Sequence, residues 1–274
     1  MDLNTIIEVA HPTTRAQLPV WTAGDAWLAG GTWLFSEPQA HLTRLIDLAD
    51  FKWPALTIGD AGLSIAATCT VAQLDAFACP PEWLAAPLID QCCRAYLASF
   101  KIWKTATVGG NLCMSLPAGP MISLTSALDG VCTIWKSDGS EQQIGVTDFV
   151  TGNQRNVLAP GDLLRSIDIP LAALKRRAAF RQISLTPLGR SAALLIGTLD
   201  DQDLVLTVTA STIRPLRLLF AGIPEPGALR DAILHHIPDG LYHTDVHGKP
   251  AWRKHMTLRL AEEIRAELQG PARP

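Results

Sequence analysis

The sequence lacks the features that would place it in a membrane or on nucleic acid. Its longest apolar stretches, such as Ala192–Leu199, are far shorter than the roughly 20 residues that a membrane-spanning helix needs. The formal net charge is only -3 and no basic run stands out, which argues against nucleic acid as the main partner. The first ten residues contain Asp2 and Glu8 and no cationic flank before an apolar run. We therefore predict no secretory signal and a cytoplasmic location.

Cysteine motifs for metals or disulfides are also missing. The 6 cysteines form no CxxC pair and have no histidine partner at a metal-finger spacing. Cys92 and Cys93 are adjacent, and on a helix adjacent side chains point about 100° apart, which suits neither a disulfide nor a shared metal. We expect small, buried, apolar thiols in a reducing compartment, and no metal site in this chain.

The common phosphate-binding motifs are absent, and two short glycine loops stand in their place. No GxxxxGK[ST] occurs, and no GxGxxG follows a strand with an acidic residue about twenty positions later. The loops are Ala29-Gly30-Gly31-Thr32 and Thr107-Val108-Gly109-Gly110-Asn111. Glycine permits positive φ and close approach of an anion, so free backbone N–H groups on both loops could jointly hold a diphosphate. Either loop alone is equally consistent with a tight turn.

Length and apolar content predict two domains, 1–174 and 175–274, divided at the stretch Lys175-Arg176-Arg177, which we expect to be exposed. In the first we predict strands and a hairpin at 26–30, 42–48, 56–59, 63–67, 131–136 and 163–169, and helices at 70–77, 87–98 and 117–128. In the second we predict strands at 179–184, 192–199 and 204–211, and helices at 226–236 and 251–268.

The order and spacing of several segments carry a family resemblance. The two glycine loops, the strand 162–170, Asp245-Val246-His247-Gly248 and Trp252-Arg253 resemble the FAD-binding medium subunit of molybdenum hydroxylases, the family of carbon monoxide dehydrogenase and xanthine dehydrogenase. The resemblance covers nearly the whole chain. It implies an α+β protein: a two-subdomain FAD-binding domain of the vanillyl-alcohol-oxidase type, followed by a small C-terminal α+β domain.

The resemblance also implies a function and partners. This chain would hold FAD, take electrons one at a time from a [2Fe–2S] subunit that a molybdopterin subunit reduces, and pass them to a terminal acceptor. An iron–sulfur small subunit and a molybdopterin large subunit would complete a heterotrimer or its dimer. Hydroxylation of the substrate belongs to the molybdenum subunit, so the resemblance implies no catalytic residue in this chain.

Residue by residue, the resemblance implies a set of cofactor-binding positions. The first loop, with its N–H groups and the Thr32 hydroxyl, would bind the diphosphate, and the second would bind the diphosphate and ribityl chain. A cation near the flavin ring would stabilise the anionic reduced form and raise its potential. Arg181 matches such a position. The full set is Leu28, Ala29, Gly30, Gly31, Thr32, Trp33, Ala98, Thr107, Gly110, Asn111, Leu164 and Arg181.

Some positions depart from the family pattern. Trp33 stands where the family often has a polar or acidic residue, and Trp103-Lys104 replaces its usual Arg-Asn. Leu116 stands where family members often have Ser or Asp, and Pro120 stands where they often have Asp. The change at Pro120 removes a side-chain contact on the ribose or adenine side. Two alternatives therefore stay open: a flavin-free scaffold subunit of the same complex, and a self-contained flavin oxidoreductase.

Overall fold

The computed structural model describes residues 3–271, so Asp2 and the outer ends of the two predicted domains lie outside the described residues. Near the N-terminus three short strands form a parallel sheet in the order β1-β3-β2. The strands are β1 (Glu8–Ala10), β2 (Asp25–Leu28) and β3 (Arg44–Asp47). Strands β2 and β3 confirm two predicted strands, and β2 leads directly into the first glycine loop.

A buried ion pair fixes the start of β2. The Arg44 Nη2 and Nε atoms donate to the two carboxylate oxygens of Asp25 at 2.6 and 2.9 Å, and the Asp25 side chain is 0% exposed. The Thr22 N–H adds a third hydrogen bond to Asp25 at 2.7 Å. Hydrogen bonding to Arg44 is the main reason that the pKa of Asp25 lies below its ordinary value.

A five-stranded antiparallel sheet follows, in the order β4-β5-β10-β6-β7, with a small hairpin of β8 and β9 beside it. The strands are β4 (Leu56–Gly59), β5 (Gly62–Ala66), β6 (Val131–Trp135), β7 (Glu141–Gly145), β8 (Val150–Gly152), β9 (Arg155–Asn156) and β10 (Leu163–Pro170). The β4–β5 pairing confirms the predicted hairpin. Strand β10 lies at the centre of the sheet, and its apolar side chains are buried.

The helices of this part surround the sheet and carry the second glycine loop. They are α1 (Val71–Asp75), α2 (Pro87–Ala95), α3 (Phe100–Trp103), α4 (Val108–Met114), α5 (Pro120–Ala127), α6 (Val146–Phe149) and α7 (Leu171–Leu174). A capping box begins α1, in which Gln73 N donates to the Thr70 hydroxyl and Thr70 N donates to the Gln73 side chain.

Helix α2 ends earlier than predicted, and this shapes the site. The sequence pattern extended the helix to Ala98, whereas the structure ends it at Ala95. The Tyr96 carbonyl accepts a hydrogen bond from Trp103 Nε1 at 3.0 Å, so it is satisfied outside the helix. The following residues leave the helix axis and reach the cavity described below.

The C-terminal part is an antiparallel sheet in the order β11-β12-β13-β14 with two helices. Its elements are β11 (Arg177–Ile183), β12 (Ala193–Asp200), β13 (Asp203–Thr209), β14 (Leu216–Phe220), α8 (Pro226–His236) and α9 (Pro250–Gln269). Three strands and both helices were predicted, and β14 was not. Helix α9 buries one face on this sheet, which gives this part a core of its own.

The two parts are packed closely, and the predicted exposed connection is exposed at Lys175 but half-buried at Arg176 and Arg177. Arg176 is 10% exposed in its side chain and bridges Asp129 at 2.6 Å and Asp200 at 2.5 Å. Across the same contact the Ser123 and Thr209 hydroxyls lie 2.7 Å apart. Arg176 therefore lies at the contact between the two parts, where it pairs with one carboxylate of each. The boundary after Leu174 stays a prediction.

The cysteines are buried or half-buried free thiols. Burial raises their pKa values, to about 12 for Cys69 and Cys93, so they are protonated at neutral pH. Among residues 3–271 no cluster of three histidine, cysteine or carboxylate side chains is arranged to hold a metal ion. Within the same range no helix is both long and apolar enough to cross a bilayer.

Candidate functional site

A cavity of about 630 Å³ lies between the two glycine loops. Its volume falls within the roughly 300–1,000 Å³ that small-molecule and cofactor sites occupy. Four groups of residues form its walls: the first loop, the chain after α2, the start of α4 with the turn before α5, and two segments of the C-terminal part. The predicted residues that line it are Ala29, Gly30, Gly31, Thr32, Trp33, Ala98, Thr107, Gly110 and Asn111.

Both glycines of the first loop are required by geometry. A Cβ atom on Gly30 would lie 1.8 Å from the backbone oxygen of Thr105, so only glycine lets the first loop pack against the chain that leads into the second. Gly31 has φ +66°, and a Cβ there would lie 2.4 Å from the Phe35 ring. The loop then turns tightly, with Phe35 N donating to Gly31 O at 2.8 Å.

The first loop presents a run of unpaired donors. Within the described part of the chain, no protein acceptor takes the backbone N–H groups of the five consecutive residues Gly30, Gly31, Thr32, Trp33 and Leu34. Successive unpaired N–H groups in a tight turn form a concave site for an anion. This supports the diphosphate role predicted for the loop.

The second loop differs from the prediction. Val108 N donates to Cys69 O at 2.8 Å, Gly109 N to Ala67 O at 3.0 Å, and Gly110 N to the Thr107 hydroxyl oxygen at 3.0 Å. The expectation that this loop offers free N–H groups is therefore wrong, because they begin α4 and join it to the sheet. What it can offer is side chains. Asn111 Oδ1 accepts from Met121 N at 3.1 Å, which leaves the Asn111 amide NH₂ as a donor.

Tyr96 contributes a phenol to the wall formed by the chain after α2. Burial raises its pKa, and the nearby Thr32 side chain opposes the shift, so the two side chains are neighbours. A neutral phenol at neutral pH is a hydrogen-bond donor as well as an acceptor. Tyr96 was not among the predicted positions, because the sequence pattern placed it inside a continuous helix.

The charge of the cavity favours an anion. Among residues 3–271 no aspartate or glutamate lines it; its lining includes Arg190, which is positively charged at neutral pH, and His247. This is notable in a chain whose net charge is -3. Both residues belong to the C-terminal part, for which we predicted no position other than Arg181. No local pattern in the sequence distinguishes Arg190 from other exposed arginines.

Three predicted positions lie outside the cavity lining. Leu28 ends β2 and immediately precedes the first loop, and Leu164 is buried in β10 at 2% exposure. Arg181 on β11 is bound to α9, with ion pairs of 3.2 Å to Glu263 and 2.6 Å to Glu267. The structure therefore assembles the two loops and Ala98 around one cavity and directs Arg181 to a helix.

Fold and site together define a protein with a cavity of cofactor size between two glycine loops, the first of which has backbone N–H groups without acceptors among residues 3–271. Residues 11–172, well over half of the chain, match the model of the FAD binding domain in molybdopterin dehydrogenase, and the chain belongs to this family. The resemblance given by the sequence is thereby confirmed. Membership makes the chain an FAD-binding component of the oxidoreductase class.

Solved structures show that the fold extends over nearly the whole chain. Quinoline 2-oxidoreductase from Pseudomonas putida 86 matches with a TM-score of 0.78 and 18% identity, covering 95% of each chain. Reconstituted CO dehydrogenase from Oligotropha carboxidovorans matches with a TM-score of 0.78 and 20% identity, covering 94% of this chain and 97% of that one.

A third structure is carbon monoxide dehydrogenase from Hydrogenophaga pseudoflava in a form that lacks the Mo-pyranopterin moiety of its cofactor. It matches with a TM-score of 0.80 and 16% identity, covering 94% of this chain and 96% of that one. At these identities the likeness establishes a shared fold, which confirms the mixed α and β FAD-binding architecture. None of the curated proteins compared with this sequence matches it.

Proposed function

We propose that this chain is the FAD-containing electron-transfer subunit of a molybdenum hydroxylase complex. The observation that carries the proposal is the first loop: its five consecutive N–H groups have no acceptor among residues 3–271 and belong to residues that line a cavity to which this range contributes no carboxylate. A diphosphate is the dianionic part of FAD that such a loop suits. Neutral peptide dipoles can hold it without the cost of burying lysine.

Each wall of the cavity has a proposed task. The first loop, from Ala29 to Trp33, would bind the diphosphate, with Leu28 fixing the direction in which the loop leaves β2. The hydroxyls of Thr32 and Thr107 and the amide of Asn111 would bind the remaining polar groups. Gly110 provides a surface without a side chain, Ala98 an apolar wall, and Leu164 packing behind the site. We leave out Arg181, because two glutamates already neutralise it.

Trp33 is proposed as a planar surface for a cofactor ring. It lines the cavity, and among residues 3–271 its indole has neither a hydrogen-bond partner nor a neighbouring aromatic ring, whereas Trp27 and Trp103 both donate to carbonyls. Aromatic faces supply large contact areas to heteroaromatic rings.

Bound flavin supplies the chemistry of accepting electrons singly and donating them onward. The residues of this chain hold it and exclude water from it.

We extend the proposal to domains and partners. Residues 1–174 would be a two-subdomain FAD-binding domain of the vanillyl-alcohol-oxidase type, and 175–274 the small C-terminal α+β domain. The partners would be a small subunit with [2Fe–2S] clusters and a large subunit with the molybdopterin cofactor, in a heterotrimer or its dimer in the cytoplasm. The similarity in fold to chains of two carbon monoxide dehydrogenases and quinoline 2-oxidoreductase supports this assembly.

The mouth of the cavity supports the presence of a partner. We take as its rim four exposed apolar residues that line the cavity or lie within two residues of a lining position in the sequence: Leu97, Phe100, Leu188 and Val246, with exposures of 46, 69, 86 and 88%. Leu97 and Leu188 also line the cavity, so this rim is continuous with the cofactor site. Exposed apolar groups beside a pocket are typical of protein interaction sites. We propose that the iron–sulfur subunit covers this rim.

One observation favours a second candidate, the flavin-free scaffold. The N–H groups of the second loop are already used, and Pro120 offers neither an N–H nor a polar side chain at the end of the cavity. If the first loop alone did not suffice, the chain would serve only to join its partners. The self-contained flavin oxidoreductase has no comparable support from the site.

The test is electron transfer within the assembled complex. The chain is co-expressed with its two candidate partner chains, and the purified complex is assayed for FAD, iron and molybdenum. The reduced iron–sulfur chain is then mixed anaerobically with the flavin-loaded chain while flavin absorbance is followed. Bleaching of the flavin is the expected result. A complex that assembles without FAD would support the scaffold, and a flavin that is never reduced by the iron–sulfur chain would refute the electron-transfer role.

A further inference from the structure

The C-terminal part reaches the cofactor cavity through two segments. The first is the connection from β11 to β12, which places Leu188 and Arg190 in the cavity wall. The second is the tight turn Asp245–Gly248, closed by a bridge between these two residues, which places His247 there. The two segments are more than fifty residues apart in the sequence. Some feature of the fold must hold them together.

That feature is the buried guanidinium of Arg253, whose side chain is 1% exposed. Its Nη1 donates to Ala192 O at 2.6 Å and to Ala210 O at 2.7 Å, its Nε to Gly248 O at 3.1 Å, and its Nη2 to Asp245 at 2.5 Å. One cation thus joins the start of β12, two residues after Arg190, to both ends of the turn that carries His247. These hydrogen bonds from the buried Arg253 side chain therefore hold both segments in place at the cavity.

The positive charge of Arg190 is not neutralised by the protein. Arg181, on the neighbouring strand, is paired with two glutamates, and the nearby Asp245 is engaged by Arg253 and by His243 at 3.3 Å. Within residues 3–271, Arg190 makes no ion pair or side-chain hydrogen bond, and no carboxylate from that range shares the cavity with it. The charge of Arg190 also acts on His243. Burial is the first cause of the lowered pKa of His243, and Arg190 lowers it further.

We infer that Arg190 binds the anionic atoms of the cofactor and that the C-terminal part thereby completes the FAD site. This inference rests on the proposed function and takes over the cationic role that the sequence assigned to Arg181. A guanidinium presents several fixed N–H donors, which suits either phosphate oxygens or the N1–C2 carbonyl edge of a flavin. The phosphate oxygens are anionic in every state of FAD, and the flavin edge is a neutral acceptor that becomes anionic on reduction. These are two acceptor groups of one ligand, and the experiment separates them.

The test compares Arg190→Gln with the matched control Arg230→Gln in the full chain. Arg230 lies on α8 in a different surface groove. Each apo-protein is titrated with FAD, ADP and riboflavin at two salt concentrations, and the flavin midpoint potential of the loaded proteins is measured. We expect Arg190→Gln to weaken FAD binding at least tenfold and to reduce its salt dependence, because a charge-assisted hydrogen bond is lost. Arg230→Gln should bind FAD as the wild type does.

The arms of the experiment locate the contact. Equal weakening for FAD and ADP places Arg190 at the diphosphate. Weakening for FAD and riboflavin with ADP unchanged, together with a lower midpoint potential, places it at the flavin ring. Wild-type affinity and salt dependence in Arg190→Gln would overturn the inference and leave the proposed function intact. A wild-type chain that binds no FAD would overturn both.

Discussion

Replacing Gly30 with alanine tests the first loop most sharply. A Cβ atom would lie 1.8 Å from Thr105 O, where a carbon and an oxygen need about 3.3 Å, so the loop and its neighbour must separate by roughly 1.5 Å. Hydrogen bonds from N–H groups to phosphate do not survive such a shift, because they require a donor–acceptor distance of roughly 2.7–3.2 Å. Each lost bond to a charged acceptor costs about 1.5–3 kcal/mol. FAD affinity should fall roughly tenfold to 150-fold per bond.

The assay is a fluorescence titration of the apo-protein with FAD, with thermal unfolding measured alongside. Gly227→Ala on α8 is the matched control, since nothing lies within 4 Å of its added Cβ and its φ is not positive. The control should keep the wild-type Kd. A folded Gly30→Ala variant that also keeps the wild-type Kd would refute the assignment of the diphosphate to this loop.

Two further predictions concern Trp33 in the cavity wall and the Asp25–Arg44 ion pair at the start of β2. Trp33→Ala should weaken FAD binding by about 1–3 kcal/mol, the value of one base–aromatic stack, while Trp33→Phe keeps most of it; equal titration curves for wild type and Trp33→Ala would contradict the stacking role. Asp25→Asn should lower the free energy of unfolding at neutral pH by about 1.5–3 kcal/mol. Because the folded pKa of Asp25 is depressed, the contribution of the ion pair is complete above the unfolded pKa of about 3.9 and is lost as pH falls through the folded value. Urea unfolding at several pH values should show the difference between wild type and variant shrinking in acid, and a constant difference down to about pH 2 would count against the pair.

Features with local causes could be predicted from the sequence. The β4–β5 hairpin follows from its turn, where Gly62 has φ +135°, and the start of α1 follows from the capping box of Thr70 and Gln73. The positive φ of Gly31, next to the Phe35 ring, belongs to the same class. In each case the residues that impose the geometry are close together in the chain.

Other features depend on distant partners, and the sequence pattern could not reveal them. Strand β7 is mostly exposed and polar, so it shows no alternation, and its pairing with β6 decides its structure. Arg176 looks like part of a basic linker until Asp129 and Asp200 are placed around it. The sequence predicted Arg181 at the cofactor site, whereas the structure places Arg190 in the cavity wall. This difference also depends on distant partners. Helix α9, about eighty residues away, neutralises the first, and Arg253 holds the segment that carries the second.

The N–H groups of Val108 and Gly109 in the second loop also depend on residues far away in the sequence, because they donate to carbonyls there. A glycine pair before a helix is typical of an anion site, but here Cys69 and Ala67 supply the acceptors. The loop therefore connects α4 to the sheet through its N–H groups, and its side chains remain available to bind the cofactor. The proposal that this chain binds a diphosphate therefore rests mainly on the first loop.

The most direct measurement is the visible absorption spectrum of the purified chain, with chromatography of whatever cofactor it releases on denaturation. The account predicts a flavin spectrum and near-stoichiometric FAD, and loss of both in a Gly110→Trp variant, whose indole would enter the cavity. A colourless chain that cannot be reconstituted with FAD, alone or with its partner chains, would contradict the electron-transfer function and leave the scaffold.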